Sequence, residues 1–423
     1  MTVSQTAGPQ TNGPPPTQPA DTEPPKSVDP NTDRPHTTVP DTETPPAAAV
    51  TTPIRWRLLL PGALYVAVRA LGVLILLWFS KINDKPFTLH GWDGAWYLAI
   101  ARSGYTGVPS TMLDLHGQHG PTTSMVFFPG YPQLVRWTAF LFQDNYVAAA
   151  ITISTIAGIA ASYGVARLTH RHTHSARATI VMVALFAAAP MSIVYSMAYP
   201  EALLCACTAW ALVGLTERRW WLAGICTAAA GYVSPMAAPL IVAVGLVALI
   251  DLVKGRAGWS AVATILMAPA GMLGYLMWVA AMTGNGSGYF LVQKQGWGTG
   301  FDFGWSTMRW FERVWSGDRA AFTVLTTWIV LAAVVLLVLG AGRHAMPWQL
   351  WLFSCLTLVL IVGATGIQWD KVRLLLVAFP LLLPIAATIA RQRTSTAIPL
   401  VLGFVFAGLW FGAYGLTVWQ FSI

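Results

Sequence analysis

The chain has 423 residues, of which 55% are hydrophobic and 10% charged, with a formal net charge of +8. That charged fraction is under half the ~25% of an ordinary soluble domain. Apolar runs long enough to cross a bilayer recur from residue 58 almost to the end, which excludes a soluble globular enzyme. No basic block is interleaved with exposed aromatics, so the charge points to lipid headgroups and membrane topology and away from nucleic acid.

In chain order, residues 1–52 come first as a Pro/Thr/Asp-rich stretch with almost no large apolar side chain. Such a segment cannot bury a core and is expected to be a disordered cytoplasmic tail. It is no signal peptide, because the apolar region is too long and lies too far in. The remainder, 53–423, is expected to be one all-α, polytopic membrane domain. Apolar length predicts about eleven spans, at 57–79, 146–168, 177–197, 201–216, 220–234, 236–253, 260–282, 320–341, 347–366, 373–390 and 396–416. Ser234-Pro235 and Pro239 predict that the pair over 220–253 is two short helices meeting at a bend. Cys205, Cys207, Cys226 and Cys355 all lie in apolar runs and read as small core residues, with no disulfide frame or metal site.

Basic residues fix the orientation. Arg55 and Arg57, Arg167, Arg171 and Arg177, Arg218 and Arg219, Lys254 and Arg256, Arg343, and Arg391 and Arg393 fall on one side in a consistent alternation. The positive-inside rule assigns that side to the cytoplasm. Two long loops, 80–145 and 283–319, then lie outside, together with a short one holding GIQWDKVR at 366–373. The first is too long for a mere connector and is expected to carry structure and function.

Within that loop, WDGAWYLAIARSGY (92–105) predicts a short interfacial helix on which Asp93, Trp96, Tyr97 and Ile100 recur at helical spacing. Asp93 stands where an N-cap would stand. In SMVFFPGYPQLVRW (124–137), Pro129 and Pro132 impose a rigid turn before another short helix.

Together, the WD-x-x-WYL-x-IA-x-x-GY segment and the following FFPGYP resemble the family of the second mannosyltransferase of GPI-anchor synthesis and its bacterial relatives. These are integral-membrane glycosyltransferases of the GT-C type that use polyprenyl-phosphate sugars. GYFLVQKQGW (288–297) and KVRLLLVAFPLLLPIA (371–386) extend the resemblance over most of the chain. AGYVSPMAAPL (230–240) departs from it: the resemblance leads one to expect an arginine near the bend, and none is there.

The resemblance implies a GT-C fold, a polyprenyl-phosphate sugar donor and a glycolipid or lipoglycan acceptor among membrane lipids. It also implies that Asp93 is the general base, since transfer from a lipid-linked sugar phosphate needs a group to take the acceptor proton and donors for the leaving phosphate. Arg373 and Lys371, at the outer end of a span, are the candidates for that phosphate, with an Asp370 ion pair as the competing role. Gln293 is a further donor-binding candidate. Trp92, Trp96, Tyr97, Tyr131 and Trp297 are candidates for the sugar-contacting wall, and Glu201 for placing the acceptor. Glu201 at a first helical turn is favourable in any case.

Asp114, His116 and His119 could converge in the loop LDLHGQHG, but no D-x-D sequence occurs, and Arg and Lys can handle a lipid monophosphate alone. No metal or other cofactor is therefore expected. The expectation is a mannosyltransferase acting by direct displacement on the extracytoplasmic face. The alternatives are the same fold with a pentose or glucose donor, or a lipid-linked-sugar flippase, which would carry charges buried mid-helix; Arg69 is the one such residue.

Overall fold

The computed structural model describes residues 54–317, 320–342 and 346–421, with the side chains of 54–58 left out. The expectations for the tail (1–52) and for Arg343 fall outside the described residues, as do the side chains of Arg55 and Arg57. Among the described residues there is no strand beyond one isolated bridge between Phe301 and Ala364. Among the described residues, seven helical stretches are long and apolar enough to cross a membrane, and four apolar helices are shorter. These correspond to the eleven spans expected from apolar length.

The long segments are α1 (Ile54–Ile82), α4 (Tyr146–Thr173), α8 (Ala238–Val253), α13 (Ala321–Gly340) and α17 (Thr394–Thr417), with two composite spans. One is α9 (Trp259–Met267) followed by α10 (Ala270–Thr283), interrupted at Pro269 where the ring removes a backbone donor. The other begins with α15 (Lys371–Leu374), continues as a 3-10 stretch through Pro380 with a kink at Ala378, and ends in α16 (Leu383–Arg391). Shorter spans are α5 (Ala176–Ala187), α6 (Glu201–Thr216), α7 (Trp220–Val233) and α14 (Trp348–Gly363). α7 and α8 meet at Ser234-Pro235, where the serine hydroxyl accepts from Met236 N, as the prolines predict. Outside the spans lie α2 (Asp93–Ser103), α3 (Gly130–Thr138), α11 (Gly288–Trp297) and α12 (Trp305–Ser316).

One expected span is corrected. Residues 177–197 do not form a single helix: α5 stops at Ala187, and 188–200 is irregular and buried, with Pro190 and Pro200 at its ends and Met191 at φ +64°. Apolar composition suits a buried irregular segment as well as a helix, so hydropathy alone could not separate them. Backbone at this depth needs internal partners, since lipid offers none. The segment supplies some of them itself, as in Ser192 N to Ala189 O (2.8 Å) and Val194 N to Met191 O (3.2 Å), while Arg69 braces its serines and the end of α5. Its guanidinium donates to Ala187 O (2.9 Å), Ser192 Oγ (2.8 Å) and Ser196 Oγ (3.0 Å). Ser154 Oγ donates to Met197 O (2.8 Å) and Tyr199 O (3.2 Å). Arg69 is thus a packing latch, and it gives the flippase alternative no support.

Helices approach closely where side chains are small, as in membrane bundles generally. A Cβ on Gly408 of α17 would overlap the Ala188 carbonyl oxygen at the end of α5. Backbone cannot yield as a flexible side chain can. Gly408→Val is expected to cost at least the ~1–3 kcal/mol typical of overpacking. A thermal unfolding midpoint in lipid nanodiscs unchanged from wild type would contradict this packing.

Candidate active site

The start of α2 is set by local geometry. Gly91-Trp92 turns sharply, with Trp92 at φ +54°, a conformation that strains a non-glycine residue. The helix ends at Gly104, whose φ of +75° suits glycine and whose N–H donates to Ile100 O (2.8 Å). Leu98 and Ala101 pack on Tyr131 and Val135, while Trp96 and Ile100 pack on Val126 and Phe127. Both sides of α2 are held, so its first turn is fixed. The buried 188–200 segment holds it again: Ala198 N donates to Leu89 O (2.8 Å) and the Tyr199 hydroxyl to Gly91 O (3.2 Å).

The competing reading of Asp93 as a helix cap does not hold. Asp93 is the first residue of the helix, Trp92 precedes it as the cap position, and no side-chain cap hydrogen bond forms. The carboxylate instead turns to Arg373, whose Nη1 donates to Asp93 Oδ2 at 2.6 Å. Arg373 Nη2 donates to Asp370 Oδ2 at 2.9 Å, and Nε lies 3.5 Å from Glu201 Oε1. The guanidinium also sits over the Tyr199 ring, 5.4 Å from its centroid. One arginine, 8% exposed, therefore joins three carboxylates brought from α2, α6 and the turn before α15.

If all three acids were ionised, they would exceed the one guanidinium by two negative charges in a largely buried place. Burial pushes the Asp370 carboxyl up to about 6, with Arg373 opposing and Asp93 adding to the rise. Two acceptor atoms, Glu201 Oε2 and Asp370 Oδ1, are buried without a hydrogen-bond partner. Asp93 keeps the most solvent contact of the three, its side chain 25% exposed against 12% for Glu201 and 17% for Asp370. A cavity of about 20 Å³, room for one water, lies between Glu201 and Arg373 on one side and Ser234 and Met236 on the other. This is the bend at which the sequence lacks an arginine.

The other expected residues divide. Lys371 does not join the cluster. It is 2% exposed, and its ammonium donates to Thr307 Oγ1, Ala364 O (2.9 Å) and Val362 O (3.4 Å). Those contacts staple α12 to the end of α14, which leaves the amine no donor for a phosphate. Tyr131 is fully buried, with its hydroxyl against Ala150 O (3.0 Å) and Ser154 Oγ (2.9 Å); it packs α3 on α4 and presents no face to a ligand. Trp96 stacks on Phe127 (5.4 Å) and meets Trp297 edge-on (5.5 Å), so Trp297 of α11 packs into the aromatic core of the first loop. Gln293 Nε2 donates to the Tyr289 hydroxyl at 2.9 Å. Trp92 is 45% exposed beside Asp93. Tyr97, one turn after Asp93, abuts Phe127 and Tyr131 edge-on, and burial holds its phenol well above the ordinary range.

Asp114 Oδ1 accepts from His116 N (2.8 Å) and Gln118 N (2.9 Å), and His119 Nδ1 pairs with Met112 O (2.8 Å). The loop is closed by its own backbone. Among the described residues no group of three or more His, Cys, Asp or Glu side chains is placed to hold a metal ion.

Sequence reasoning missed Tyr199, which both supports Arg373 and fixes Gly91. It also weighed Asp370 only as a competing ion-pair partner. The signal available was AYPEALL, whose tyrosine precedes Glu201 by two residues.

No protein-family model matches the chain. No curated protein matches it either. Among solved structures it is similar to ArnT from Cupriavidus metallidurans bound to undecaprenyl phosphate, with a TM-score of 0.48 and 16% identity over 81% of this chain. The chain spans 62% of the length of that one.

Removing Arg373 would strand up to three buried acids. Arg373→Ala is expected to destabilise by the ~3–5 kcal/mol typical of breaking a buried pair. Adding Asp370→Asn should restore part of that loss, because one excess charge is gone. A double variant no more stable than the single, in thermal melts, would show that Arg373 does not hold the acids by charge.

Proposed function

We propose that the protein is a membrane glycosyltransferase of GT-C type that moves mannose from a polyprenyl-phosphate donor to a glycolipid or lipoglycan acceptor. The observation that carries this reading is Asp93, the most exposed member of a three-acid cluster, paired at 2.6 Å with a buried arginine. The sequence resemblance supplies the sugar and the donor class. The alternation of basic loops supports an extracytoplasmic site, because the cluster lies at the opposite helix ends from Arg167, Arg218 and Arg219, which pair with Glu217 and Asp251.

In the proposed reaction, Asp93 takes the proton of an acceptor hydroxyl as that oxygen attacks the anomeric carbon. The bond from that carbon to the phosphate oxygen breaks, and polyprenyl phosphate leaves with the electron pair. One displacement inverts the sugar centre. Protonation of Asp93 cancels its charge and loosens its hold on Arg373. The guanidinium is then freed toward the phosphate as charge develops there, when stabilisation counts most. Asp370 and Glu201 keep Arg373 in place between turnovers, and Trp92, half-exposed beside Asp93, is the proposed contact for the sugar.

Asp93→Asn tests this reading. Asn keeps a carbonyl acceptor for Arg373 and removes one of the surplus negative charges, so folding is expected near the wild-type level. Transfer of mannose from a short-chain polyprenyl-phosphate mannose, in detergent, is expected to fall 10²–10⁴-fold, the usual contribution of a general base. A well-folded variant retaining more than about half the wild-type rate would refute the base role. Wild-type turnover without a sealed membrane would separate transfer from transport.

A further inference from the structure

The stretch between α10 and α13 carries an apolar surface that takes no part in the reaction described above. Phe303 is 91% exposed, and Trp305, Met308 and Trp315 of α12 are 63%, 62% and 69% exposed. Large side chains grouped in this way mark contact with a membrane or with another protein. Their place in the fold separates the two. Asp302 N donates to Gly363 O (3.0 Å), Thr307 Oγ1 donates to Val362 O (2.6 Å), and Phe301 bridges to Ala364. All three contacts fall at the end of α14. α12 ends at Ser316 and α13 begins at Ala321, a gap the chain can span over at most about 18 Å. α12 thus starts at the end of one span and finishes within reach of the next. That is the level at which hydrocarbon gives way to headgroups.

The sides of α12 differ in chemistry. Thr307, Trp310 and Val314 are buried against the protein. Met308 and Trp315 lie on one flank of that face, and Arg309 and Arg313 on the other, roughly 100–160° further round the helix. The Arg309 guanidinium lies over the Trp305 ring, 5.9 Å from its centroid. Neither arginine has an ion-pair partner among the described residues. Glu312 is the only acid of the helix, so two arginines less one carboxylate leave a net charge of +1. An apolar flank beside a basic one is the pattern of a helix lying in a bilayer interface, with tryptophan at headgroup level. The turn before α12 adds to it. Phe303 sits at φ +58°, a left-handed conformation uncommon outside glycine. The Asp302 carboxylate enforces it by accepting from Gly304 N (3.0 Å) and Ser306 N (2.8 Å). Strain of this kind persists only where the surroundings hold it, and here it keeps a phenyl ring out in the open.

We propose that α12 and Phe303 form a docking surface for anionic phospholipid. Phe303, Met308 and Trp315 enter the boundary between acyl chains and headgroups, and Arg309 and Arg313 meet lipid phosphates. The seat needs no transferase activity, but it bears on the neighbouring cluster. Lys371 donates to Thr307 on the buried face of α12, so the depth of the helix fixes the height of the turn that carries Asp370.

Photocrosslinking of the full chain tests the seat. p-Benzoylphenylalanine replaces Phe303 or Met308, in nanodiscs of phosphatidylcholine and phosphatidylglycerol in equal amounts, and mass spectrometry reads the adducts after irradiation. The same residue in place of Trp328, 57% exposed within the span α13, is the positive control for lipid capture. Phospholipid adducts are expected at both positions. Phosphatidylglycerol adducts should exceed phosphatidylcholine adducts about fivefold, the bias of one net positive charge at an anionic surface. Arg309→Gln combined with Arg313→Gln should bring that ratio to about one or below, with the melting midpoint level with the parent. Crosslinks between two copies of the chain would overturn the proposal in favour of self-association. So would an absence of lipid adducts at both positions while Trp328 gives them, which would leave the patch in water. Equal capture of the two lipids by the parent, or a bias that survives loss of both arginines, would overturn the recognition of anionic lipid.

Discussion

Arg373 is the tie on which the arrangement depends. Its three nitrogens face Asp93, Asp370 and Glu201, and its plane lies on Tyr199. Asp93 and Arg373 are 280 positions apart in the chain, so this contact closes a long loop. A planar fork with fixed donors suits such convergence; a lysine ammonium would offer neither the plane nor the spacing. Because the pair is buried, its worth lies less in net stability than in the cost of separating it. The acids converge only while the guanidinium is there.

The backbone around the cluster is arranged to keep that geometry. The irregular segment 188–200 runs beneath Asp93, and its polar groups are met by Arg69 and Ser154 from α1 and α4. From the other side, Lys371 ties α14 to Thr307, and Gly300 N donates to Thr365 Oγ1 at 2.6 Å, which draws the 283–319 loop onto the turn holding Asp370. Two cations therefore do structural work at depth while a third collects the acids. The 188–200 backbone is enclosed by protein, the condition under which a bilayer tolerates irregular chain.

The class of the chain, its spans and the α7–α8 bend were readable because apolar length and proline carry them directly. WDGAWYL and the later KVR stretch, each singled out separately as a candidate, do meet in the fold, through Asp93 and Arg373. The break after α5 was not readable, since apolar residues serve a buried coil and a buried helix alike. Nor could Lys371 be separated from Arg373: both stand at the outer end of one span, and only the fold turns one toward carbonyl oxygens and the other toward acids. Asp93 illustrates the same limit. Its position fits a cap, and the side chain went elsewhere because a buried guanidinium is a stronger partner than a backbone N–H.

The excess of acid over base bears on how the proposed donor would be received. A phosphate approaching Asp93 would meet two uncompensated negative charges were all three acids ionised, so it gains Arg373 only if a carboxyl nearby is neutral. Asp370, with its proton affinity raised by burial, is suited to supply that neutrality. A second cation would be the other solution, and the resembled family leads one to expect an arginine at the α7–α8 bend. Here Ser234 and Met236 line a cavity of about 20 Å³ facing Glu201 and Arg373. On the proposed reading, this chain meets the charge of its substrate by moving protons among its acids, with a single arginine shared between holding the site together and steadying the leaving group.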